Sequence, residues 1–104
     1  MGVNLSPATA ERLNLLFRGK GGDDAERLLV EDCSDRLPFL AHAGPVDLER
    51  VRFAVLKLSA GRIDRLRDAI ALANTDWRDV LMAAGFGEDT EAHLRWHPDV
   101  PPVK

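Results

Sequence analysis

The chain of 104 residues has no tyrosine, one cysteine, and three lysines against eleven arginines. Each shortage excludes something. With Cys33 as the sole thiol, no intramolecular disulfide can form, and a structural zinc site built on several thiolates is ruled out. A lone thiol suits a reducing, cytoplasmic setting. No apolar run approaches the roughly 20 residues needed to cross a bilayer. The first twenty residues, MGVNLSPATAERLNLLFRGK, lack the basic-then-apolar layout of a secretory signal. Neither a membrane nor export is expected. Abundant arginine, alanine and leucine would suit a GC-rich bacterial gene.

Basic residues are also too few and too dispersed for nucleic acid. Formal net charge is −3, divided as −2 over residues 1–45, +2 over 46–73 and −3 over 74–104. No segment carries the positive footprint of a nucleic-acid binder. Arg50, Arg52, Lys57, Arg62, Arg65 and Arg67 scatter around a helix axis and form no stripe. Several have an acid three residues away (Asp47–Arg50, Glu49–Arg52, Asp64–Arg67), so solvated surface pairs are expected, each contributing a few tenths of a kcal/mol.

What is present reads as helix. Hydrophobic residues make up 45% and charged residues 30%, ordinary for one globular domain with a modest core. Ser6-Pro7 is a helix start, with Ser6 as cap and Pro7 at the first helical position. Ala10, Leu13 and Phe17 follow at helical spacing until Gly19 stops the run. Asp23 with Glu26 has capping-box spacing for a second helix. RLLVEDC within it could also be a short buried strand, because a brief apolar run does not distinguish the two. Pro38 biases Leu37 away from helix, with at most a turn from Pro38 to His42. Gly44-Pro45 then punctuates the chain.

The stretch 46–86 is the clearest. Leu48, Val51, Val55 and Leu58 form one apolar seam of a third helix, about 46–58, and Val46, Phe53, Leu56 and Ala60 another. A helix apolar on two sides is central and packed on both. Ser59 can cap a fourth helix with the seam Ile63, Leu66, Ile70 and Ala73. Asn74-Thr75 breaks it, and Thr75 caps a fifth carrying Trp77, Val80, Leu81 and Ala84. Gly85 then Phe86 reads as a left-handed stop with the ring folding back. Residues 88–96 offer a sixth helix that brings Leu94 and Trp96 to the core. The proline-rich tail cannot be helical. The expected fold is an all-α, single-domain bundle of five or six short helices over 1–96, with an extended tail over 97–104.

Candidate sites are weak. Gly19-Lys20-Gly21-Gly22 matches neither phosphate-binding fingerprint, and Asp23 and Asp24 would repel an anion there. Met1-Gly2 with Ser6 matches the minimal myristoylation pattern by chance. Pro98 and Pro101 have PxxP spacing, which is frequent by chance. His93 and His97 lie four apart, a metal-ligand spacing, but Pro98 places His97 outside a helix; a surface pair is expected. Cys33 with His42 and Asp35 is the one set resembling a nucleophile with a base. The acids Glu31, Asp32 and Asp35 would raise the thiol pKa, so an inert thiol is expected.

The functional expectation is a cytoplasmic, non-enzymatic interaction or self-association module without cofactor or metal. Its partner surface is drawn from Phe53, Leu56, Trp77, Met82 and Phe86, because so small a domain has few elements to cover both sides of its third helix. A thiol-dependent enzyme or redox sensor at Cys33 and His42 is the alternative, and metal binding at His93 and His97 a further one.

Overall fold

A computed structural model describes residues 5–17, 21–33, 45–87 and 92–96, with only the backbone of 45–47. All regular structure among them is helical: α1 (Pro7–Leu16), α2 (Gly22–Asp32), α3 (Pro45–Ser59), α4 (Ile63–Ala84) and α5 (Ala92–Arg95). The fold is the expected all-α bundle, with five helices. The tail 97–104 lies outside the described residues.

Helix α1 begins as its sequence demands. The Ser6 hydroxyl accepts the Thr9 N–H at 3.2 Å and Pro7 opens the helix. The same hydroxyl donates to Glu49 Oε2 at 2.9 Å, tying the start of α1 to α3. The helix stops at Leu16, ahead of the expected Gly19, because Phe17 leaves helical dihedrals as its ring enters the core.

Helix α2 opens on Gly21 in the left-handed conformation (φ 81°), without a side-chain cap. Asp23 and Asp24 occupy the first turn, where they complement the helix dipole, so Asp23 is not the expected cap. RLLVEDC is helical up to Asp32.

Helix α3 is the centre. From Arg50 to Leu56 every residue is buried, which is nearly two full turns and leaves no solvent face. Helices α1, α4 and α5 all pack against it. Phe53, Val51, Val55 and Leu56 are fully enclosed, each side chain contributing roughly 1.5–3 kcal/mol of apolar transfer. Ala60, placed by its spacing on the second seam, is instead exposed in the turn at φ 52°. Ser59 ends α3 and does not cap α4: its hydroxyl donates to Leu56 O at 2.6 Å and accepts the Gly61 N–H at 3.2 Å.

The expected fourth and fifth helices are one element, α4, kinked at Asp76 (φ −156°, ψ 98°). The break falls one residue later than the sequence suggests. Thr75 donates its hydroxyl to Ala71 O at 3.1 Å, a bond back into the preceding turn. Asp76 Oδ1 accepts the Arg78 N–H at 3.1 Å, so Asp76 is the cap. At the far end Gly85 (φ 82°) and Phe86 donate to Met82 O and Leu81 O, and the Phe86 ring is buried. That stop is as expected.

Helix α5 is one turn. It turns His93 inwards and leaves Leu94 49% exposed, the reverse of the expectation, while Trp96 packs half-buried on the core.

Candidate functional site

Chemistry in this chain is drawn into its interior. Cys33 sits at the end of α2, wholly buried. Burial pushes its thiol up to about 12, outweighing the lowering by the Arg52 charge; Asp32 adds a smaller upward push. Such a thiol is protonated and a poor nucleophile across physiological pH. Asp35 and His42, its expected companions, lie outside the described residues.

Three arginines of the described core are buried, which corrects the expectation of solvated surface pairs for Arg50 and Arg52. Arg52 donates from Nε to Cys33 O at 2.9 Å and from Nη2 to Leu29 O at 3.3 Å, closing the C-terminal turn of α2. Arg50 Nη2 reaches Phe86 O at 2.8 Å. Arg12 donates to Trp96 O at 3.3 Å and Leu94 O at 3.4 Å, and its guanidinium stands 5.0 Å from the Phe53 ring centroid. Lys57 Nζ adds a bond to Ala84 O at 2.9 Å and lies 5.0 Å from the Phe86 ring centroid.

The common targets are carbonyl oxygens at or just beyond helix C-terminal ends, where a cation also meets the negative pole of the dipole. These cations serve the fold. Glu49, expected to pair with Arg52, takes the Ser6 hydroxyl, and Asp64 pairs with Arg62 at 3.4 Å. The signal was present in the sequence: a helix with apolar residues on two sides has no solvent face left for positions 50 and 52.

His93 is buried, not the surface residue expected. Its ring meets Phe53 edge-on at 4.9 Å, with Phe86 at 6.3 Å, and Trp96 stands 6.3 Å from both phenyl rings. The four rings lock α5 to the core. His97 lies outside the described residues. No group of three potential metal ligands occurs among the described residues.

Of the five residues proposed as a partner surface, Phe53, Leu56 and Phe86 are core, buried by the chain's own helices. Trp77 is half-buried against that core. Met82 alone of the five stands out, 63% exposed. Its thioether lies across Gly87, where a Cβ would collide with the sulfur.

A feature the sequence reading missed is a cleft of about 450 Å³ between α2 and α4. Leu28, Ile70 and Ala71 are its apolar lining, Glu31 and Asp32 stand on the α2 side, and Arg67 and Asn74 on the α4 side. Asn74 Nδ2 is committed to Asp32 O and Ile70 O, each at 2.9 Å. Only the pairing of α2 with the first half of α4 creates this space, so no local pattern foretold it.

Among the described residues no helix is long and apolar enough to cross a membrane. No protein-family model, curated protein or solved structure matches this chain.

Proposed function

We propose that this protein is a small cytoplasmic, non-enzymatic interaction module that self-associates or docks a protein partner, using the outer surface of α4. Met82 carries the reading. It is a long, flexible, polarisable side chain held at 63% exposure at the end of a well-anchored helix, the kind of residue that adapts to a partner. Leu72, 36% exposed, adds a second large apolar group on α4. The original motive for this function, an uncovered side of α3, does not survive, since α3 is enclosed. Of the expected surface, the part that stays accessible is the part on α4.

Thiol chemistry at Cys33 is the weaker reading, because a thiol that loses its proton only near pH 12 has almost no thiolate to offer. Sedimentation velocity of the full chain over a wide concentration range, with affinity capture from the native host, tests the proposal. A concentration-dependent oligomer or a stoichiometric partner, either weakened by Met82→Glu, is expected. A strict monomer with no stoichiometric partner would overturn it.

A further inference from the structure

We infer that the cleft between α2 and α4 receives a basic amphipathic helix from a partner protein; this rests on the reading of the chain as an interaction module. Three observations converge. The first is shape and lining. Half-buried Leu28 and exposed Ala71 offer a short apolar strip over the buried Ile70 between two helices, the arrangement into which a third helix lays its apolar face. A small polar ligand suits the space poorly, because such sites orient their ligand with convergent polar groups. The Asn74 amide nitrogen already serves two carbonyls, and Glu31, Asp32 and Arg67 are exposed at the rims.

The second observation is charge. Helix α2 carries Asp23, Asp24, Glu26, Glu31 and Asp32 against Arg27 alone, and all six are exposed. That gives the helix a formal −4, more negative than the whole chain at −3. The third is a local conflict. Glu31 and Asp32 sit in the last turn of α2, which holds no basic residue. There they add to the negative pole of the helix dipole, where a cation is preferred. Arg52 answers that pole from inside, through Leu29 O and Cys33 O. On the outside nothing on α2 does. A lysine or arginine flanking the partner's apolar stripe meets Glu31 and Asp32, and Arg67 on the opposite wall favours an acid on the other flank. The two walls thereby set the orientation of the docked helix.

The test is fluorescence anisotropy with the full chain and a labelled synthetic amphipathic helix of leucine and lysine. A leucine–glutamate counterpart is the control. Saturable one-to-one binding of the lysine peptide alone is expected. Glu31→Gln with Asp32→Asn, and separately Ala71→Gln, should each weaken it by about fivefold or more. Asp23→Asn with Asp24→Asn removes the same charge at the far end of α2 and should change binding by less than about twofold. Circular dichroism confirms that each variant is folded. Equal weakening by both carboxylate pairs would mean attraction to a general acidic field and would overturn the inference, as would absent or non-saturable binding, or equal binding of the glutamate peptide. If the cleft fails while Met82→Glu still abolishes association, the docking site is wrong and the interaction reading stands.

Discussion

Arg52 donates to the carbonyl oxygen of Cys33 at 2.9 Å, joining the middle of the central helix to the residue that caps the end of α2. The pair fixes where α2 ends and gives the buried carbonyl a charge-assisted partner. Leu29 O keeps the Cys33 N–H as a partner, so Arg52→Met should leave the buried Cys33 carbonyl without its charge-assisted donor and destabilise the protein by about 1–3 kcal/mol. Arg52→Lys should recover only part of this, since an ammonium cannot reproduce the guanidinium fork. Urea unfolding measures both.

The second prediction concerns Cys33. Its thiol is raised by burial from the ordinary 9.0 to about 12, so the folded state holds a proton that the unfolded chain releases sooner. The stabilising contribution is complete below pH 9 and is lost as pH climbs towards the folded value. Stability should fall by about 1.4 kcal/mol per pH unit through that window. Cys33→Ala should remove this slope while costing some packing. Unfolding curves from neutral to strongly alkaline pH decide the matter, and a wild-type slope equal to that of Cys33→Ala would contradict the assignment.

Asp76, not Thr75, caps the second half of α4. Asp76→Ala should cost about 1 kcal/mol through the lost bond to the Arg78 N–H. Thr75→Ala should cost less than about 0.5 kcal/mol, because its hydroxyl only returns to the preceding turn. Thermal or urea unfolding of the two single variants separates the assignments. The reverse order would restore the cap to Thr75.

Gly61 and Gly85 share φ 82° and differ in surroundings. A Cβ on Gly61 would stand 2.8 Å from Leu16 O, a backbone atom that cannot swing away. At Gly85 the nearest group is the end of the Lys57 side chain, 3.9 Å off. Gly85→Ala should cost about 1 kcal/mol, the ordinary left-handed penalty, and Gly61→Ala clearly more. Equal losses would show that the approach of Leu16 to the α3–α4 turn is loose.

Much of this architecture was legible in the sequence where one local rule acted alone. Ser6-Pro7 starts α1 and Gly85-Phe86 ends α4 because caps depend on a few neighbouring atoms. The readings at Asp23 and Thr75 failed because a neighbour, Gly21 or Asp76, takes the same role, and that at Ser59 because a turn separates it from the start of α4 at Ile63. Gly21 opens α2, Ser59 serves the turn before α4, and Asp76 out-caps Thr75. The fate of the arginines was harder. A guanidinium three residues from an acid looks like a surface pair, and only the apolar residues on both sides of its helix signal the enclosure that overrides that local pattern. His93 follows the same logic: its closest ring contact is with Phe53, far away in sequence. The α2–α4 cleft had no sequence signal, since it is the space between two helices.

The central claim is that the surface of α4 serves association while the buried cations serve the fold. Its most direct test is sedimentation velocity and stoichiometric capture of the wild type beside Met82→Glu and Arg52→Lys. Met82→Glu should unfold within about 0.5 kcal/mol of the wild type, as surface substitutions do, yet lose the oligomer or partner. Arg52→Lys should lose stability and, under conditions where it remains folded, keep the association. A Met82→Glu protein that associates like the wild type, or a wild type that is monomeric and partnerless, would contradict the account.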